Sequence, residues 1–203
     1  MLVVALGQWV WTFVPTPSEA RAREGSSSAS TVPDHGLAAN GAGKGDGQGA
    51  GEAVPARVLG VFFTPPAGAG KALVHWIDEA RQEVLVQAYG FTHNAIAQAL
   101  LRAHLRGVRV SVLLDQKSSS TNRYVIDLLQ SSQVGLRFDG EHAIAHNKVM
   151  VIDQRIVVTG SFNFTNSADT RNAENLLILE SPALAARYLA NWQNHWAHAS
   201  SRP

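Results

Sequence analysis

The stretch Ala145–Phe164, AHNKVMVIDQRIVVTGSFNF, sets two apolar runs around a turn and places polar side chains at their outer ends. Val149–Ile152 and Ile156–Val158 are rich in β-branched residues, as strands covered on both faces are, and Asp153-Gln154 between them reads as a reversal. The stretch is therefore expected to form strand–turn–strand in the interior of a sheet. Side chains alternate along a strand, so His146 and Lys148 should share one side, and Ser161 and Asn163 should share one side in turn. The hairpin would bring these four together, with Gly160 leaving room for close approach. Asp153 has the opposite parity from His146 and Lys148. It is expected to be structural, bonding its own downstream backbone to make the turn. Glu174, which opens ENLLILE, could join the group from the following strand.

Working outward, RVLGVFF (57–63) reads as a strand and Gly70–Arg81 as an amphipathic helix. EVLVQAYGF (83–91) is a strand, and Asn94–Arg106 a helix with Ile96, Leu100 and Leu101 on one face, ended by Gly107. VRVSVLLD is a strand, Thr121–Ser131 a helix capped by Thr121 or Asn122, and VGLRF a short strand. NKVMVID, RIVVTGSF and ENLLILE follow as adjacent strands, and Pro182–His198 closes the chain with a helix. Alternating strands and helices followed by adjacent strands predict an α/β fold: a mixed sheet with helices on both faces, an α/β/α sandwich over residues 56–203. Trp192 and Trp196 are four apart on the last helix and so share a face expected to lie in the core.

The rest of the chain is of another kind. Residues 2–14, LVVALGQWVWTFV, are too short to span a bilayer and suit the apolar region of a signal peptide, with Ala20 and Ala22 in a small-residue cleavage pattern. No Lys or Arg precedes this run. Residues 1–22 are expected to direct export, to the periplasm or outside the cell. Residues 23–55, rich in Gly, Ser and Ala, bury too little apolar surface to order and are expected to be a flexible linker. The phosphate-loop spacing suggested by GAGK fails, because Pro65 stands where Gly is needed and Ala72 where Ser or Thr is needed.

Composition narrows the chemistry. The chain of 203 residues has no cysteine, which excludes disulfides and thiolate metal sites. Lys+Arg number 17 against 16 Asp+Glu, so binding to nucleic acid by bulk charge is disfavoured, although residues 56–203 carry 14 basic and 11 acidic side chains. A neutral imidazole can attack or take a proton, an ammonium and an amide can hold an oxyanion, and a carboxylate can orient a histidine. His146, Lys148, Ser161, Asn163 and Glu174 together suit attack on a phosphodiester with fixed donors holding the developing charge. No pair of carboxylates accompanies a second histidine at metal-ligand spacing, which disfavours a two-metal nuclease.

The spacing His146-x-Lys148-x4-Asp153-x6-Gly160-Ser161-x-Asn163 resembles the HKD motif of the phospholipase D superfamily at every defined position. The likeness extends to that superfamily's small bacterial endonucleases of the Nuc type, from about Glu83 through AYGFT and GSFNFT to Trp192 and Trp196. It implies a phospholipase D-like fold, a phosphohistidine intermediate, and no metal or other cofactor. His146 then resembles the catalytic histidine, Lys148 and Asn163 the phosphate-binding donors, Ser161 a further active-site hydrogen-bonding group, and Glu174 the carboxylate that orients the histidine. Asp153 and Gly160 belong to the structural part of the motif.

A double displacement needs two imidazoles, and the motif occurs once; His93 and His142 lie in no second His-x-Lys pair. A twofold homodimer with both His146 side chains at its interface is the expected resolution, and the resemblance implies it too. The leading expectation is a nonspecific endonuclease on DNA, with RNA as a further substrate. Arg123, Arg155 and Arg171 flank the motif in sequence and could meet a phosphate backbone together, although each taken singly reads as ordinary solvated surface. The alternative is a phospholipase acting on membrane phospholipid such as cardiolipin, disfavoured because no Lys-rich amphipathic helix is evident. A non-catalytic binding module would be expected to have lost His146, Lys148 or Asn163, and all are intact.

Overall fold

The computed structural model describes residues 53–66 and 68–203; the leader expected over 1–22 and all but the last three residues of the linker expected over 23–55 lie outside them. Seven strands form one mixed sheet: β1 (Arg57–Thr64), β2 (Glu83–Ala88), β3 (Arg109–Asp115), β4 (Gly135–Asp139), β5 (Lys148–Ile152), β6 (Ile156–Gly160) and β7 (Glu174–Glu180). Their spatial order is β1-β7-β6-β5-β2-β3-β4, with β2, β3 and β4 parallel and every other neighbouring pair antiparallel. The helices are α1 (Ala69–Asp78), α2 (Asn94–Leu105), α3 (Arg123–Ser131), the short α4 (Asn166–Thr170) and α5 (Pro182–His198).

Strand alternation sorts the apolar residues into two layers. Val84, Val86, Val112, Leu114, Met150, Ile152 and Val158 face the helices α1–α3, where Leu73, Ile77, Ile96, Leu100 and Leu129 meet them. Leu85, Leu113, Val151 and Val157 face the other way, onto Ala185 and Trp192 of α5. The expected α/β/α sandwich is the fold found. α5 begins where Ser181 Oγ accepts from Leu184 N (3.2 Å) with Pro182 in the first turn, a standard start signal. Trp192 is buried, donates from Nε1 to Val86 O (3.0 Å) and stacks on Trp196 at 4.7 Å between ring centroids.

Chain directions place the chemistry. β2 and β3 end at one edge of the sheet, and the antiparallel neighbours make β5 and β7 begin there and β6 end there. The residues just past those five termini therefore converge, whereas the β5–β6 turn lies at the opposite end.

That turn corrects one expectation. Asp153 is structural, but its carboxylate does not bond its own downstream backbone. It accepts from the amides of Arg81 (3.0 Å), Gln82 (2.8 Å) and Glu83 (3.0 Å), fastening the hairpin to the start of β2. Asp153 and Gln154 both hold positive φ (50° and 54°), closed by Arg155 N on Ile152 O at 3.2 Å. Gly160 is structural for another reason. Its φ is 152°, and a Cβ there would collide with the carbonyl oxygen of Asn175, which accepts from both Ser161 N and Phe162 N.

Asp153→Ala would leave three backbone donors without their acceptor. It is expected to cost about 2 kcal/mol of stability, read as a lower urea midpoint with an unchanged slope.

Candidate active site

Lys148 is the first residue of β5, and His146 precedes the strand in the loop after β4. The expectation that strand alternation places both on one side therefore rests on a strand that has not yet begun. The two residues are joined by another contact: the Lys148 ammonium donates to the His146 carbonyl oxygen at 2.6 Å. Lys148 is 8% exposed, and Nζ lies 5.4 Å from the centre of the Tyr89 ring, close enough for cation–π attraction. Burial pulls the Lys148 pKa below the ordinary lysine value, and the Glu174 charge opposes that shift. His146 is exposed and its ring leans on Tyr89 at 4.8 Å and 57°.

Ser161 and Asn163 follow β6, which ends at Gly160. Ser161 Oγ donates to Glu174 Oε2 (2.6 Å) and accepts from Asn175 N (3.1 Å). Asn172 Nδ2 donates to the other Glu174 oxygen at 3.2 Å. Asn163 Oδ1 accepts from Gly90 N (3.3 Å), which turns its amide nitrogen into a donor with no protein partner among the described residues. Gly90 permits this approach, because a Cβ there would press on Asn163 and Thr165. Within the chain Glu174 makes no hydrogen bond to His146. Its carboxylate serves Ser161 and Asn172 and sets the field at Lys148.

Three residues outside the set expected at the site hold it in shape. The Asp115 carboxylate accepts from Ala145 N (2.8 Å) and Ser118 N (2.8 Å), tying the residue before His146 to the end of β3. Lys117 Nζ donates to Ala143 O at 2.6 Å. Asn122 stands at the N-cap position of α3, as one of the two expected caps, but its fully buried side chain makes no cap bond. It accepts from Phe91 N (2.7 Å) and donates to Tyr89 O (2.8 Å) and Ser118 Oγ (2.9 Å), shaping the Tyr89–Phe91 wall. The carboxylate of Asp115 closing the apolar run VRVSVLLD was the available signal.

The arginines divide. Arg155 sits in the β5–β6 turn, at the far end of the sheet, and pairs with Glu180 at 2.5 Å. Arg123 pairs with Asp127 one helical turn away (3.1 Å), and Arg171 donates to Ser167 Oγ (2.6 Å). Arg155 therefore lies away from the site on position and is the solvated surface residue that each arginine singly reads as. His93 is nearly buried and faces Asp169 at 3.4 Å, and His142 belongs to a separate histidine group. Among the described residues, Tyr89 is the one ring packed on His146.

A family model described as "Cardiolipin synthase, PLD-like domain" matches residues 73–196. A protein of Rickettsia felis named phospholipase D is 45% identical over 135 residues, which are 66% of this chain and 68% of that one. A mitochondrial cardiolipin hydrolase of Chlamydomonas reinhardtii is 30% identical over 121 residues, 60% of this chain and 54% of the relative. Among solved structures, the phospholipase D family member Nuc from Salmonella typhimurium superposes with a TM-score of 0.69 at 33% identity, covering 73% of this chain and all of that one. With His146, Lys148, Ser161 and Asn163 at one end of a sheet shared with Nuc and Asp153 bracing the other, this chain belongs to the phospholipase D superfamily and is a phosphodiesterase.

Proposed function

We propose that the protein is a nonspecific endonuclease that hydrolyses DNA, and RNA as well, through a phosphohistidine formed at a twofold homodimer interface. The observation that carries this reading is an exposed imidazole, His146, beside a buried ammonium, Lys148, within an open rim of hydroxyl and amide groups. The amides of Asn163, Asn172 and Asn175 offer donors to a phosphate backbone and little apolar surface to an acyl chain. The fit to Nuc over that protein's full length supports the same choice.

The chemistry follows from the donors. A neutral His146 ring nitrogen attacks phosphorus, and the P–O bond to the leaving oxygen breaks as a phosphohistidine forms. His146 of the partner subunit, protonated, gives its proton to that oxygen. It then takes a proton from water, which attacks phosphorus and releases His146. Lys148 and the free Asn163 amide hold the phosphoryl oxygens, where charge builds up. Glu174 acts through Ser161 and through the field that keeps Lys148 charged. The homodimer reading rests on the lack of a second imidazole at His146 among the described residues.

One feature favours the second reading, a phospholipase. Ile144, two residues before His146, is 52% exposed and could touch a lipid surface, and the Rickettsia relative bears the name phospholipase D. Plasmid DNA, RNA and cardiolipin vesicles, each incubated with the protein in excess EDTA well below its melting temperature, separate the two readings. Cleavage of nucleic acid is expected; cleavage of lipid alone would overturn the nuclease assignment, and strict dependence on added magnesium would overturn the mechanism.

His146→Ala is expected to abolish turnover, since it removes nucleophile and acid together from the dimer. Lys148→Ala and Asn163→Ala should each lower kcat by about 10²–10³, the usual loss of one oxyanion donor.

The pH–rate profile is expected to be bell-shaped, because turnover needs one imidazole neutral and its mate protonated. Lys148 adds to the alkaline limb: with its pKa lowered, it gives up its charge before an ordinary lysine would as pH rises. A flat profile across the histidine range, or full activity from a strict monomer in sedimentation, would contradict the paired-histidine reading.

A further inference from the structure

A second group of titratable side chains lies where β4 ends and α5 ends. Asp139, the last residue of β4, is 1% exposed, and its Oδ1 accepts from Glu141 N at 3.1 Å. Three imidazole nitrogens surround its other oxygen, Oδ2: His195 Nδ1 at 2.7 Å, His142 Nδ1 at 3.1 Å and His198 Nε2 at 3.4 Å. All four candidate ligand atoms lie within 4.8 Å of one another. The second nitrogen of His198 is also occupied, with Nδ1 3.0 Å from Glu141 Oε2.

We propose that Asp139, His142, His195 and His198 bind a zinc-class divalent cation that clasps the last turn of α5 to the loop carrying His146. Three features carry the proposal. The donor set, three imidazoles and one carboxylate, is what zinc takes in four-coordinate sites. The spacing fits as well: a tetrahedron with bonds of roughly 2.0–2.1 Å has edges of about 3.4 Å. The three carboxylate–imidazole separations run from 2.7 to 3.4 Å, and no pair of the four atoms is more than 4.8 Å apart. Glu141 on the outer nitrogen of His198 supplies the carboxylate–histidine contact that fixes a metal-bound ring in the right tautomer.

The surroundings are built to hold such a site. His195 and His198 lie three apart on α5 and so face one way. Past the helix, Ser200 pairs with Phe138 in both directions, N to O at 2.9 Å and 2.8 Å, which locks the helix end onto β4. Arg137 donates to Trp196 O at 2.7 Å and lies over the Trp196 ring. His142 and His146 lie four residues apart in the loop between β4 and β5. With four protein ligands the site has the closed character of a structural centre and lies apart from the phosphodiesterase chemistry.

The test uses the full chain, stripped of metal with EDTA and dialysed. Zinc titrated by calorimetry is expected to bind at one per chain and to raise the melting temperature by roughly 5–10 °C at about 100-fold excess over Kd. Cobalt(II) should bind at the same stoichiometry and give the visible absorption of a tetrahedral ion. His198→Ala and His142→Ala, the latter on an exposed loop that folding should tolerate, are expected to remove both signals. Glu141→Gln should weaken binding about 10-fold or more, whereas His146→Ala should leave it unchanged. No zinc-dependent shift in the wild-type protein, equal binding by His142→Ala and His198→Ala, or loss of binding in His146→Ala would overturn the proposal.

Discussion

An ammonium group removed from water must find oxygen or π density around it, and Lys148 imposes that requirement on everything near it. The His146 carbonyl, the Tyr89 face and the field of Glu174 meet it, and each comes from a different segment of the chain. The need to surround one buried cation thus brings together the end of β2, the start of β5 and the start of β7. A phosphoryl group entering this place meets a donor whose desolvation has already been borne by folding, which is the physical content of preorganisation.

The sheet achieves this by separating what must be rigid from what must be reachable. Strand interiors are largely apolar on both sides, and the polar groups stand at the strand ends, as Lys148 and Glu174 do, or one to three residues beyond them, as His146, Ser161 and Asn163 do. Asp153 and Gly160 serve opposite ends of one hairpin. One fastens the turn to three amides of a distant segment, and the other lets the chain leave β6 against the carbonyl of Asn175. Asp115 repeats the device on the next strand by catching Ala145 N. Short polar side chains that cap foreign backbone, rather than their own, set the position of the reactive loop.

Much of this was legible in the sequence. Period-two and period-3.6 patterns marked all seven strands and four of the five helices, and α5 has the bounds expected of it. The short α4 escaped, because four polar residues and one alanine carry no apolar period; its start is a Thr165 cap. The site was legible as a set of residues and less so as geometry. Parity arguments hold only inside a strand, and His146 lies outside one. The partner of a capping carboxylate is invisible when it is some seventy residues away, as for Asp153 and Gln82. The Asp139 group shows the same limit: His195 and His198 have a helical spacing, but nothing in the sequence says that residues 139 and 142 lie beneath them.

The first strand has a consequence for how the molecule is made. β1 finds its ladder partner only in β7, so its neighbour lies more than a hundred residues further along. During synthesis Arg57–Thr64 leaves the ribosome early and must wait, with Val58, Val61 and Phe63 offered to any passing edge, until Glu174–Glu180 has emerged. In the finished subunit those three side chains are still 57%, 50% and 68% exposed. Late closure of this border makes assembly of the nascent chain, rather than the chemistry of the mature one, the stage at which holdase chaperones would find the most to grip.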